Sequence, residues 1–308
     1  MRGYEALREK AAWIDLSARG KIVARGEDRA RLLHAMTTNH VEQLKPGGGC
    51  YAFFLNAQGR ILGDVNLLCR DQDFLLDTEP ETHPALLAHL DRYIIADDVT
   101  LEDVTPQMAT IAVEGPRAAE AASALGLVLP ETLGAFSGVG GVMTANLSHT
   151  GAPGFWLIAP GEAKEVLIGE VEAAGAVEAD AEAVRVVRIE HGKPRYGEDI
   201  TGAQLPQETQ ALQALHFNKG CYIGQEIVER VRSRGHVNRL LVRLTIDTAT
   251  APARGAVIEA GGKPVGEITS AAFSPALART VALGYVRAER ARPETALVVE
   301  GAPARVVR

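Results

Sequence analysis

The sequence predicts an α+β fold followed by a small β-barrel, and three observations lead there. Three stretches, KIVARGEDRARLLHAM (21–36), TIAVEGPRAAEAASAL (110–125) and WLIAPGEAKEVLIGEV (156–171), each run from an apolar strand through a Gly turn into a helix. Between the first two lies YAFFLNAQGRILGDVNLLCRDQDFLLD (51–77). Its apolar runs are broken by the turn formers NAQG and RDQD, the pattern of an antiparallel meander. After Asn238 helical periodicity stops. LLVRLTI, AVIEA, KPVGEITS, TVALGYV, ALVVE and ARVVR then follow at roughly ten-residue spacing, as in a small barrel or sandwich of about 70 residues.

Each element has its own justification. In the strand–turn–helix units, Pro116 suits a first helical position, and Gly126 and Gly175 suit C-terminal caps. Glu27, Asp28 and Glu162 open two of those helices. They complement the helix dipole but would repel a phosphate, so these glycines read as packing turns. PETHPALLAHLDRYII (80–95) has Leu86, Leu87, Leu90 and Ile94 spaced for one helix face. DAEAVRVVRIEHG (180–192) predicts another helix, with Asp180 as its cap and Val184, Val187 and His191 on one face. KPRYGEDITGAQLPQETQAL follows without regular periodicity. A stretch of about 25 such residues in a compact domain points to a binding role. No GxGxxG follows a strand, and the strict alternation of a doubly wound sheet is missing.

Composition narrows the function classes. With 308 residues, 46% of them hydrophobic and 23% charged, the chain has material for two or three domains and a real core. The boundary falls near 235–240. Residues 1–237 are expected to form two interleaved α+β subdomains and residues 238–308 the barrel domain. A net charge of −7 disfavours direct nucleic-acid or membrane binding. MRGYEALREK carries no apolar signal core, and no apolar run approaches the ~20 residues of a membrane span, so a cytoplasmic protein is expected. Cys50, Cys69 and Cys221 make no CxxC spacing, and the histidines make no HExxH pattern, so no tightly bound metal is expected. Cys50 and Cys69 sit in apolar strand-like runs and read as small core hydrophobes.

One short stretch is built differently. KGCYIGQE (219–226) sets Cys221 between Gly220 and Gly224, beside Lys219, which would favour the thiolate. In the adjoining ERVRSRGHVNRLLVR, Arg230, Arg232 and Arg234 alternate and would share one face if extended, with Arg239 and Arg243 adding to the basic density. Such a strip suits a folate glutamyl tail, a partner protein or, less well, RNA phosphates. It suits equally a solvated strand face paired to acidic neighbours.

RIEHGKPRYGED, then LPQE, then KGCYIGQE resembles the YgfZ family of folate-binding, iron–sulfur-assembly proteins, relatives of the glycine cleavage T-protein. The resemblance extends to AAWIDLSARGKIVARGEDRARLLHAMTTNHV, LNAQGRILGDVNLL and KPVGEITSAAFSP…VALGYV, almost the whole chain. It implies a T-protein-like folate-binding fold with antiparallel sheets and helices ahead of the barrel, and tetrahydrofolate or a derivative as cofactor. It also implies folate contacts from Glu190, Asp64, Arg188, Tyr222 and Gln225. Glu190, by its match in R-x-E-x-G, would accept from the amidine-like edge of a pterin. Asp64 follows a hairpin turn among apolar residues, where it either lines the pocket centre or satisfies backbone donors. Chemistry would fall to Cys221, Lys219 and Asp64.

The chain departs from the T-protein pattern in two places. Gly63-Asp64 stands where T-proteins carry paired aspartates, and SHTGAPGFW (148–156) lacks the tyrosine and glutamate of their pterin-contacting motif. These departures weigh against aminomethyl transfer and leave the folate pocket in place. The first expectation is therefore a YgfZ-like protein that supports assembly or repair of [4Fe–4S] clusters, with indirect effects on tRNA modification. Its partners would be iron–sulfur assembly factors or client [4Fe–4S] enzymes. Cys221 would be a ligand to a shared cluster, a reacting thiol or a shaper of the turn. The alternatives are a tetrahydrofolate-dependent aminomethyl- or methyltransferase using Asp64, and a scaffold whose folate pocket has decayed.

Overall fold

The computed structural model describes residues 1–235 and 237–307. The meander forms as the sequence predicts. Gly49–Leu55, Ile61–Cys69 and Asp73–Thr78 pair antiparallel, and Gly20–Arg25 and Thr100–Asp103 extend them to a five-stranded sheet. A second, six-stranded sheet is built from Val177–Glu178, Ala12–Asp15, Met108–Glu114, Gly154–Pro160, Val142–Ala145 and Phe136–Val139, in that order. The chain enters this sheet at Ala12–Asp15, leaves to build the other sheet, and returns at Met108.

Period-two alternation explains why the sheets stack. Val23, Leu68 and Leu75 turn one way and meet Ala112, Trp156 and Ile158 of the other sheet, with Leu16 beside them. Their neighbours Ile22, Ala24, Leu67 and Leu76 turn the opposite way, onto the helices Arg29–Met36 and His83–Asp91. On the far side, Trp13, Ile111, Phe155 and Leu157 pack beneath Ala118–Ala124 and Lys164–Ala173. The result is helix layer, sheet, sheet, helix layer, in which each buried large side chain contributes about 1.5–3 kcal/mol.

Gly126 and Gly175 adopt φ of 69° and 92° and end their helices as the sequence predicts. The following amides, of Leu127 and Ala176, reach back to Ala122 and Val171 carbonyls at 2.9 and 3.0 Å. Pro116 lies one residue ahead of the Arg117 N-cap rather than inside the helix. The helix expected over 80–95 is confined to His83–Asp91, and Ile94 packs from the turn beyond it.

Asp180 caps the helix Ala181–Glu190 by accepting from the Ala183 amide at 2.8 Å. Val184 and Val187 enter the core between the sheets, whereas Val186 and Ile189 enter a separate core against the barrel. This one helix therefore joins the barrel to the sheets, and His191, expected on its apolar face, is exposed instead. The six barrel strands close, with Leu244, Ile246, Ile258, Leu297 and Val306 inside and Leu241, Leu283 and Tyr285 outside against the joining helix. Residues 191–224 hold only two short 3-10 turns, Pro206–Thr209 and Leu212–Ala214. They wrap the 49–69 hairpin through Ile200, Ala214 and Leu215, packed on Phe53, Leu55 and Ile61.

The extended arginine strip is corrected. Gln225–Arg234 is a helix, set between Gly224 and Gly235 in left-handed conformations, with Val228 buried against the hairpin. Ile227, Val228 and Val231 carry its helical spacing. Arg232 lies over the Phe217 ring at 4.7 Å. Arg239 pairs with Glu208 at 3.1 Å, and Arg243 donates to the Glu190 carbonyl at 2.5 Å. The basic density is thereby divided among separate contacts.

Candidate functional site

The hairpin register sets Asp64 opposite Phe53, two residues from Tyr51 on the neighbouring strand. Tyr51 Oη donates to Asp64 Oδ2 at 2.8 Å, while Asp64 Oδ1 is buried with no donor among the described residues. Burial pushes the Asp64 pKa up, and the charge of Glu79 adds to this against the opposing effects of Arg19 and the Tyr51 hydrogen bond. Arg19 is buried over the Trp156 ring, with its guanidinium 5.4 Å from the ring centroid and paired to Asp77 and Glu79. Its two carboxylates hold its pKa above the ordinary value despite burial.

A second wall comes from the loop after Val142–Ala145. Fully buried Glu114, at the end of its strand, accepts from Thr150 N at 2.9 Å and Ser148 Oγ at 3.1 Å. It also accepts from His149 N and Thr150 Oγ1. Gly151, at φ 88°, lets the loop turn where a Cβ would come within 2.9 Å of the His191 Cβ. The loop is thus fixed from beneath, and His149 faces the chamber. Burial, with Arg19, Arg188, Arg195 and Lys193 nearby, lowers the His149 pKa to about 3, so the imidazole is neutral.

The third wall is the irregular segment after the joining helix. Arg188 pairs with Asp199 at 2.6 Å and Glu198 at 2.5 Å, and donates to the Lys193 carbonyl at 2.6 Å. Asp199 also accepts from Thr269 and Ser270 of the barrel, both at 2.6 Å, so the barrel takes part in holding this wall. Arg195 bridges Glu79 at 2.9 Å and Glu81 at 2.5 Å. Lys193 lies 5.8 Å from the Tyr51 ring centroid. Together these residues enclose a polar chamber of ≈ 40 Å³ around Asp64. A cavity of ≈ 270 Å³ adjoins it, sharing Tyr51, Asn66, Ser148 and Lys193 as walls. Cys50 lines that neighbour and is half-buried rather than part of the closed core, while Cys69 is buried as expected. Burial pushes the Cys50 thiol up to about 12 against the favourable charge of Lys219.

Residues 1–219 match the family described as GCVT N-terminal domain, and residues 239–308 match the glycine cleavage T-protein C-terminal barrel domain. The chain belongs to the glycine cleavage T-protein family. This family uses tetrahydrofolate. The chain is 31% identical to the aminomethyltransferase of Rubrobacter xylanophilus, over 99% of this chain and 84% of the relative. It is 31% identical to that of Thermus thermophilus, over 91% and 81%. A putative chloroplastic transferase of Arabidopsis thaliana is 29% identical, over 90% of this chain and 66% of the relative. The crystal structure of glycine cleavage system aminomethyltransferase T from Bartonella henselae superposes with a TM-score of 0.89, covering 99% of this chain and 87% of that one. At 22% identity this likeness establishes the T-protein fold.

Within this T-protein fold, the residues singled out by sequence separate into three groups. Asp64 and Arg188 line the chamber. Glu190 does not. A helix turns about 100° per residue, so the R-x-E spacing sends the two side chains roughly 200° apart. The Glu190 carboxylate instead accepts from Tyr4 Oη at 2.5 Å and pairs with Arg8. Lys219, Cys221, Tyr222 and Gln225 form the third group, outside the chamber lining. The Lys219 ammonium donates to the carbonyls of His34, Thr37 and Asn39 at 2.5, 2.6 and 2.8 Å, at the end of the helix Arg29–Met36. It also sits 4.7 Å from the Tyr222 ring centroid, so its acceptors are carbonyls and a ring rather than the Cys221 sulfur. The Tyr222 amide meets Gln225 Oε1 at 3.3 Å. Gly224, at φ 82°, packs where a Cβ would approach Asn56 O to 2.6 Å, so the turn requires glycine there. Cys221 is exposed.

Sequence reasoning did not single out Tyr51, Arg19, His149 or Lys193 as site residues. Lys193 lies in the KPRYGED stretch read as binding and His149 in the SHTG stretch noted for what it lacks, whereas no motif marks Tyr51 or Arg19. Among the described residues, no three His, Cys, Asp or Glu side chains converge on a metal position, and no helix is long and apolar enough to cross a membrane.

Proposed function

We propose that this protein binds a reduced folate at the Asp64 chamber and acts on its one-carbon unit as a tetrahydrofolate-dependent transferase. The observation that carries this reading is the buried Asp64 Oδ1 that meets no donor. A buried acceptor without a partner costs about 1–3 kcal/mol, and the N–H groups of a pterin edge are suitable donors. The residues present therefore fit the ligand, with Asp64 in the role that resemblance had assigned to Glu190. Asn66 and Ser148, on the wall shared with the ≈ 270 Å³ cavity, add neutral hydrogen-bonding groups for the rest of the ring.

A bound reduced folate supplies ring nitrogens that carry the one-carbon unit. The chain's own residues orient it and handle protons. Asp64 keeps its proton to higher pH than a solvated aspartate, so its carboxyl can donate as well as accept. Tyr51 fixes the carboxyl orientation, and Arg19 over Trp156 closes the wall against water. In this reading residues 1–237 are the folate-binding region and residues 238–308 the barrel that braces Arg188 through Asp199.

The test pairs binding with turnover. Tetrahydrofolate is titrated against the wild type, Asp64→Asn and Glu190→Gln, and methylene-tetrahydrofolate formation is followed with an aminomethyl-lipoyl carrier. Asp64→Asn is expected to lose at least about tenfold in affinity, the equivalent of about 1.4 kcal/mol. No saturable binding to the wild type overturns the reading.

The exposure of Cys221 on a rigid glycine turn favours a second reading, the YgfZ-like one. The same folate site would then serve a factor that assists assembly or repair of [4Fe–4S] clusters in client enzymes, with indirect effects on tRNA modification. Iron–sulfur assembly factors would be partners at the Cys221 face. Both readings assign the protein to the cytoplasm. Cells lacking the protein, complemented with wild type or Cys221→Ser, separate them. Loss of [4Fe–4S] enzyme activity restored only by the wild type favours the second reading, equal rescue makes Cys221 a structural residue, and no loss of that activity favours the first.

A further inference from the structure

Three lysines point inward in this protein, and two of them are fully used. Lys21 donates to the carbonyls of Ser17 and Arg19, and Lys219 to three carbonyls at a helix end. Lys193 differs. Its backbone is fixed, with its amide donating to the Arg188 carbonyl at 3.0 Å and its own carbonyl accepting from Arg188 at 2.6 Å. Among the described residues, however, its Nζ has no hydrogen-bond or ion-pair partner, and it lies over the face of the Tyr51 ring.

Its position is also unusual. Lys193 lines the Asp64 chamber, the adjoining ≈ 270 Å³ cavity and a ≈ 450 Å³ cavity toward the barrel. A small molecule entering through either larger cavity meets this amine at the junction. Burial, with Arg19, lowers the Lys193 pKa, more than Glu114 and Asp64 raise it. A larger share of free amine than on a surface lysine follows, and desolvated lysines of this kind are the ones that react with carbonyl compounds.

We propose that Lys193 is an amine nucleophile of the site, capturing a one-carbon aldehyde at the formaldehyde oxidation level as a covalent iminium beside Asp64. The free amine attacks the carbonyl carbon, forming the C–N bond, and a nitrogen proton moves to the oxygen to give the hydroxymethylamine. The Asp64 carboxyl then protonates that hydroxyl, water leaves, and the products are the Lys193 iminium cation and the Asp64 carboxylate. No oxidant or reductant is consumed. The cation so formed shares the chamber with its counter-ion, and attack by a folate amine would return the free lysine. This role rests on the one-carbon reading of the site.

The experiment treats the intact protein at pH 7 with stoichiometric ¹³C-formaldehyde and cyanoborohydride, and maps N-methylation by peptide mass spectrometry. Lys193 is expected to react at least about tenfold faster than exposed Lys10, Lys45 and Lys263. Asp64→Asn should slow that labelling, and tetrahydrofolate should protect against it. Labelling of Lys193 no faster than of the surface lysines overturns the proposal. Tetrahydrofolate titration in parallel keeps the two claims apart. Folate binding with Lys193 unlabelled removes the covalent role alone, and rapid labelling without folate binding removes the folate reading alone. Lys193→Arg keeps the charge but not the nucleophile. It should lose one-carbon turnover while retaining folate binding, and full turnover in this variant would falsify covalent capture.

Discussion

Tyr51 Oη holds one oxygen of the Asp64 carboxylate at 2.8 Å and leaves the other buried with no donor among the described residues. The hairpin produces this asymmetry, because only one face of its strands reaches the chamber. It also has a consequence for stability. Burial raises the Asp64 pKa, so the folded protein holds a proton that the unfolded chain releases above its ordinary value near 3.8. Stability contributed at Asp64 is therefore fully present below pH 3.8 and is lost as pH rises toward the folded pKa.

Asp64→Asn removes that ionisation. The variant should be at least as stable as wild type at pH 7, with the difference shrinking as pH falls toward 4, while tetrahydrofolate affinity drops about 10-fold or more. Urea unfolding across pH 4–8, alongside ligand titration, checks both. A variant that is less stable and still binds folate normally would make Asp64 a structural residue.

His149 gives the opposite slope. Its imidazole is neutral in the folded state, with a pKa of about 3, and the unfolded chain takes up a proton below about 6.5. Stability should fall as pH drops from 6.5 toward 3, with this residue supplying up to about 1.4 kcal/mol per pH unit. His149→Gln should flatten that acid limb in denaturant midpoints measured against pH. An unchanged limb would mean the imidazole reaches water.

Glu114→Gln should act without touching a ligand. The carboxylate receives four donors from residues 148–150, and an amide cannot accept from all of them. A loss of about 2–4 kcal/mol in stability is expected, with weaker folate binding because Ser148 and His149 are no longer held. Chemical unfolding and a folate titration read the two effects separately.

Lys219→Met and Cys221→Ser should diverge although they are two residues apart. The first strands three carbonyls at a helix end and is expected to cost about 2–4 kcal/mol. The second alters an exposed side chain and should stay within about 0.5 kcal/mol of wild type. Equal stability of the two variants would show that the Lys219 ammonium is not held as described.

Arg188→Met leaves the fully buried Asp199 carboxylate without its cation. A cost of about 3–5 kcal/mol follows, and Asp199→Asn should recover part of it in the double variant by removing the stranded charge. Additive losses in that cycle would mean the two residues act independently.

Much of the fold was legible because it is periodic. Strand–Gly–helix units, the meander and six barrel strands repeat spacings that the backbone itself imposes, so KIVARGEDRARLLHAM or TVALGYV can be read locally. The arginine-rich stretch was misread because R-x-R-x-R is as compatible with a helix as with a strand, and Ile227, Val228 and Val231 decide the matter through the core that Val228 enters. Site residues were harder. Asp64 stood out as a carboxylate among apolar neighbours, and KGCYIGQE as a glycine-framed turn. The partners of Lys219 and Glu190 come from chain segments more than a hundred positions away, the helix Arg29–Met36 and Tyr4.

The sequence by itself determined the α+β region, the barrel, the glycine-framed turn at 219–226 and the presence of a lone carboxylate in the hairpin. Tertiary structure alone decided that Asp64 rather than Glu190 faces the chamber, that Lys219 closes a helix end, and that Lys193 arrives at the cavity junction with no hydrogen-bond partner for its Nζ among the described residues. The physical reason is that backbone spacing specifies which face a residue occupies, whereas a charged group's role is set by the dielectric and the partners around it. Those are supplied by packing, and packing brings together segments whose order in the chain does not announce their contact.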